Sequence, residues 1–112
     1  MTSLDWKTVY ATMHERGEAD FPPAGLYYVL QLSRQASRAR DSRPVTPNEL
    51  YEDFSRQTRR DFGPMAPDVL EEWSLNTPGN FGRAVVLLGR HGCLTLEPSD
   101  TIEAFEGLET IS

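Results

Sequence analysis

Prolines set the outer limits on what this chain can fold into. They fall at 22 and 23, 44 and 47, 64 and 67, 78 and 98, and a proline inside a helix removes one backbone bond and clashes with the preceding turn. An uninterrupted helix therefore cannot run much beyond about 20 residues. Where each proline sits matters as much as their number. At Thr46-Pro47-Asn48-Glu49 the proline takes the first helical position, where no donor is needed, and the flanking residues spell a capping box: the Thr46 hydroxyl accepts from the Glu49 amide, and Glu49 reaches back to the Thr46 amide. Thr77-Pro78 repeats the cap-plus-proline device, and Gly63-Pro64 is a stop signal. The pattern is one of short helices that prolines start or end.

Apolar spacing fills in those helices. The first is expected from Asp5 to Arg16, with Ser3 as cap, Trp6, Val9, Tyr10 and Met13 on one side, and Gly17 closing it. Glu18 to Pro23 is a linker, because the paired prolines hold Phe21 extended. A second helix opens at Pro23 with Leu26, Tyr27, Val29, Leu30 and Leu32, and its polar half, Ser33 to Arg40, is expected to project into solvent. Asp41 to Val45 is a loop. The Thr46-capped helix carries Leu50, Tyr51, Phe54, Thr58 and Phe62 on one stripe. A fourth, Pro64 to Trp73, would stack Met65, Val69, Leu70 and Trp73 on one side. The fifth, Thr77 to Arg90, places Phe81, Val85 and Leu88 together, and Val86 and Leu87 make it apolar nearly all round, as befits a central helix or an oligomer contact. Gly89 and Gly92 are expected to weaken and end it. Cys93-Leu94-Thr95-Leu96 alternates with a period of two, suiting one short strand or an extended segment, and Pro98 to Thr101 looks like a further helix start with Ile102 and Phe105 as anchors.

The expected fold is mostly α: a compact bundle of about five helices, for which a winged-helix-like layout is one option, with at most one short strand or hairpin near 93–96. One domain covers 1–105 and an acidic, frayed tail covers 106–112. Its core is expected to include Leu30, Phe54, Phe62, Val69, Trp73, Phe81, Val85 and Leu88. With 112 residues, 38% of them apolar, one core suffices. The longest apolar run, Ala84 to Leu88, is far short of the ~20 residues of a membrane span. The first residues lack the basic start and apolar stretch of a secretory signal, and a lone cysteine, Cys93, is compatible with a reducing compartment, so a cytoplasmic location is expected.

Net charge is −6, which disfavours long-range attraction of the whole chain to nucleic acid or anionic membranes. Its distribution is uneven. From Ser33 to Arg60 seven arginines face four acids, and from Glu97 to Ser112 five acids face no base. Arg34, Arg38, Arg56, Arg59 and Arg60 would form one patch if the second and third helices are antiparallel neighbours, and Arg suits bidentate contacts to phosphate or carboxylate. Against a selected site stands the chain-wide preference of ten Arg to one Lys. The acidic segment from Glu97 to Glu109 is expected to lie near these arginines and screen them.

No catalytic constellation emerges. His91-Gly92-Cys93 is the one place where a base and a thiol are close in sequence, but residues two apart at a helix end seldom face each other, and cysteine is commonly a small buried hydrophobe. His14-Glu15 and His91 with Cys93 are isolated pairs with no partner motif, so no metal is expected. Pro78-Gly79-Asn80-Phe81-Gly82 lacks the Lys and Ser/Thr of a phosphate loop, and close helix packing explains its glycines. Glu52-Asp53 and Glu71-Glu72 project from different sides of their helices. No cofactor is expected. The fourth and fifth helices share the layout of a helix-turn-helix, with Asn80 as base-reading candidate and Arg83 as phosphate candidate, but the poor start of that helix favours a structural use.

Phe62-Gly63-Pro64-Met65-Ala66, followed by Val69-Leu70, Trp73, Phe81-Gly82, Val85, Leu88, Gly92, Leu94, Ser99 and Phe105, resembles the pattern of an uncharacterised family of small bacterial proteins. The resemblance covers about Phe21 to Phe105 and is strongest from Phe62 to Leu94. Pro23 departs from it. It implies a shared fold and a bacterial source, and transfers no activity. The function expected is therefore a non-enzymatic protein-interaction module or homo-oligomer, acting through the fifth helix or the arginine face. The alternative is a nucleic-acid-associated protein that uses residues 34–60 or the helix-turn-helix at 64–91.

Overall fold

The computed structural model describes residues 6–17, 21–40, 45–94, 96–98 and 100–108. Among them are six α-helices: α1 (Trp6–Glu15), α2 (Pro23–Ala39), α3 (Pro47–Phe62), α4 (Ala66–Glu72), α5 (Pro78–Arg90) and α6 (Ile102–Glu106), with one 3₁₀ turn at Gly63–Met65. The expected cap at Ser3, residues 18–20 of the expected linker, 41–44 of the loop expected at 41–45 and 109–112 of the tail expected at 106–112 lie outside the described residues.

Helix starts follow the proline reading closely. Thr46 Oγ1 accepts from the Glu49 amide at 3.1 Å, and Glu49 Oε1 accepts from the Thr46 amide at 3.0 Å, closing the capping box. Thr77 caps α5 by accepting from the Asn80 amide, and Thr101 caps α6 by accepting from the Ala104 amide. The exits of α4 and α5 share a second device. The residue after each cap is left-handed, Ser74 at φ 59° and Gly92 at φ 76°, and the next amide turns back to the helix, Leu75 to Leu70 O at 2.8 Å and Cys93 to Leu88 O at 2.9 Å. Both amides satisfy carbonyls that would otherwise lack partners, and both residues that supply them, Leu75 and Cys93, are buried. That exit removes the strand option near 93–96: Cys93 and Leu94 form a helix exit, and no strand occurs among the described residues. Gly89 does not end α5, which runs on to Arg90.

α2 and α3 are antiparallel neighbours. Arg40, following α2, reaches Glu49 and Asp53 near the start of α3, while Tyr28 near the start of α2 donates to Asp61 Oδ2 near the end of α3 at 2.7 Å. The polar half of α2 does not project into solvent as a whole, since Ser33 and Ala36 are buried and only its arginine face is exposed. α5 is central, packing against α2, α3 and α6. Leu30, Phe54, Phe81, Val85 and Leu88 are buried as expected, with Met13, Leu26, Val29, Leu75 and Phe105 completing the core. Phe54 stacks on Phe81 at 4.4 Å between ring centres, and Phe81 meets Phe105 edge-on at 5.7 Å. Val69, Phe62 and Trp73 are half-buried rather than central. Phe62 and Trp73 instead form a rim cluster with Tyr28, each ring centre within 5.6 Å of the other two.

The described residues of 96–98 and 100–106 run back along α5, with Leu96 over Gly89, Phe105 over Gly82 and Glu106 over Gly79. A Cβ on Gly82 would collide with Phe105, one on Gly79 would stand 3.0 Å from Glu106 Cγ, and one on Gly89 would run into Leu96. The glycines of α5 are thus the floor of a channel that this segment fills. Glu106 ends α6, and Leu108 packs half-buried against the core. A radius of gyration of 13.4 Å matches the ~13 Å of a single domain of this length. No described helix is long and apolar enough to cross a membrane.

Candidate interaction surface

Between α3 and α4 a groove is left open. Its volume is about 460 Å³, within the range of ligand-sized clefts. Tyr51, Phe54, Ala66, Leu70 and Leu75 supply the apolar floor, Pro64 and Pro67 form one wall, and Arg59 and Glu71 stand at the rim. The floor is rigid because its aromatic members are locked from behind: Tyr51 and Phe54 both pack on Phe81. Thr58 Oγ1, also on the lining, donates to Ser55 O at 2.9 Å, so that hydroxyl is already satisfied. The groove exists because Gly63 at φ 55° and the 3₁₀ turn break α3 from α4 and splay the two helices.

The same turn overturns one expectation. Met65 was expected to stack with Val69, Leu70 and Trp73 on a single helix from Pro64, but a 3₁₀ turn advances side chains by about 120° per residue instead of 100°. Met65 swings outward and is 62% exposed, while the residues on both sides of it wall the groove.

The arginines expected to form one patch differ in their surroundings. Arg56 pairs with Asp53, Arg59 lines the groove, and the charge of Arg34 acts on Cys93 at the exit of α5. Arg38 Nε donates to Arg34 O at 3.4 Å, and both side chains are exposed, as is Arg60. The strongest charged centre involves an arginine not singled out as a contact, Arg40: Nη1 donates to Asp53 Oδ2 at 2.8 Å and to Ala36 O at 3.2 Å, and Nε lies 3.5 Å from Glu49 Oε2. Burial alone would raise the Asp53 carboxyl, but hydrogen bonds and charge from Arg40 and Arg56 outweigh it and hold Asp53 below the usual carboxylate range. The acids that neutralise Arg40 and Arg56 are on α3 itself, while α6, within the acidic segment, packs against α3. Sequence spacing could have found the second of these pairs: Asp53 and Arg56 are three apart on one helix.

For the helix-turn-helix option, Arg83 Nη1 donates to Asn80 Oδ1 at 3.4 Å, and the first turn of α5 is covered by Phe105 and Glu106 over Gly82 and Gly79. An acidic residue over the end that would enter a groove opposes phosphate contact. Burial pushes the Cys93 thiol up, only partly opposed by Arg34, and a protonated buried thiol is a poor nucleophile. Among the described residues no three of His, Cys, Asp or Glu come together as a metal would require.

Comparison with protein-family models, curated proteins and solved structures finds no match for this chain.

Proposed function

We propose that the protein is a non-enzymatic interaction module that takes its partner at the groove between α3 and α4. The carrying observation is the pairing of an open, rigidly backed apolar groove with an exposed Met65 on its lip. Monomeric proteins rarely leave such apolar surface facing water without use, and methionine is over-represented where surfaces bind. This reading moves the contact away from the fifth helix, whose faces are occupied by α2, α3 and α6. The nucleic-acid alternative draws less support, since Arg40 and Arg56 are paired within the domain and the start of α5 is overlaid by Glu106.

The test is photocrosslinking in the native host from a benzoylphenylalanine placed at position 65. A discrete adduct is expected, and it should vanish with Pro67→Glu, which puts a carboxylate on the apolar wall at an exposed position in the first turn of α4, where an acid suits the helix. No adduct, or one indifferent to Pro67→Glu, overturns the proposal.

A further inference from the structure

We infer that the occupant of the α3–α4 groove is a second copy of this chain, docked about a two-fold axis so that each Met65 enters the other's groove. The inference rests on the interaction-module reading and adds the partner to it.

Two observations point to a copy rather than to an unrelated protein. The first is that knob and hole are neighbours. Met65 faces solvent from a turn whose other members, Gly63, Pro64, Ala66 and Pro67, line the groove. In a two-fold interface, if residue i of one copy touches residue j of the other, then j touches i; a knob beside its own hole satisfies that condition with one patch and no long lever. The second is charge. Among the described residues the rim carries one cation, Arg59, and one anion, Glu71, both exposed. A two-fold docking sets each Arg59 against the partner's Glu71 twice over, so the patch is electrostatically complementary to itself. A partner chosen for opposite charge would instead favour a rim of one sign. Arg59 need not lack partners within its own chain for this to hold, because exposed ion pairs exchange at little cost.

The contact is small, so association should be weak: predominantly monomer at roughly 1 µM and dimer at several hundred µM by sedimentation equilibrium. Met65→Asp should weaken the dimer at least about tenfold, and Arg59→Glu or Glu71→Arg alone about tenfold each, by setting two like charges together. The decisive arm mixes the two charge variants. Arg59→Glu in one copy meets Glu71→Arg in the other at one rim, and native Glu71 meets native Arg59 at the other, so an equimolar mixture should recover wild-type association to within about threefold although each variant alone associates about tenfold more weakly. A purely intramolecular Arg59–Glu71 role would be repaired by the double variant but never by mixing. Far-ultraviolet circular dichroism confirms that each variant is folded before it is scored.

A dimer that none of these variants weakens, or variants that mixing fails to rescue, overturns the inference. A monomer at every concentration that still forms a position-65 adduct with another protein overturns the second copy and leaves the interaction module standing. A monomer with no adduct overturns both.

Discussion

The α5 channel and the α3–α4 groove solve the same problem in opposite ways. Along α5, glycines at 79, 82 and 89 let another segment lie directly on the helix backbone, and Leu96, Phe105 and Glu106 fill that space. Between α3 and α4 the elements are held apart by a 3₁₀ turn with prolines on either side of Met65, and the space stays open. The difference teaches where the molecule is committed to its own structure and where it is available to something else. One side has traded helix propensity for contact; the other has left contact unmade.

That contrast can be broken most forcefully at Phe105, which is fully buried against Gly82 and Phe81. Phe105→Ala should cost about 3–5 kcal/mol in urea unfolding, since a buried ring leaves a cavity that its neighbours only partly fill. A loss below 1 kcal/mol would mean that the segment merely rests on α5. The glycines then divide by what faces them. Gly82→Ala directs a methyl at the Cβ of Phe105, which cannot retreat without moving α6, and should cost about 1–3 kcal/mol. Gly89→Ala meets the branched end of Leu96, Cγ as well as both methyls, so Leu96 must shift as a whole; the helix gains up to ~1 kcal/mol in propensity in return, and the net cost should fall below that of Gly82→Ala.

On the α2–α3 side, Asp53→Asn removes the anion shared by Arg40 and Arg56 and should cost about 1 kcal/mol at pH 7. Because the folded-state pKa of Asp53 is depressed, its contribution is present above its ordinary pKa of about 3.9 and is lost as pH falls through the lower folded value. The gap between wild type and variant should therefore close on acidification toward pH 2 and not on going alkaline. The smallest effect is expected at the groove lip: Met65→Ser should change monomer stability by less than about 0.5 kcal/mol, measured at concentrations where association is negligible. A larger loss would make Met65 part of the fold and undo the contrast.

Helix positions were legible in the sequence because prolines and threonine caps act locally: the capping box at Thr46 and the cap at Thr77 depend on residues within three positions of each other. The central place of α5 was legible for a similar reason, its apolar residues covering nearly the whole helix circumference. Three things were not. The outward swing of Met65 turns on whether Gly63 to Met65 winds as 3₁₀ or α, a choice set by neighbours rather than by any residue type. The groove is a space between helices, and no side chain signals an absence of packing. The pairing of Arg40 with Asp53 bridges two helices across a loop, so composition could report seven arginines and four acids between Ser33 and Arg60 without saying which would meet.

The contact between Gly82 and Phe105 has a consequence for descent. A hydrogen at one position and a ring at the other fit as a unit, so a lineage that gains a side chain at 82 must also shrink the residue at 105 or displace α6. Positions 82 and 105 should change together, size against size, wherever chains of this kind have diverged, while the lip around Met65 drifts with whatever it meets.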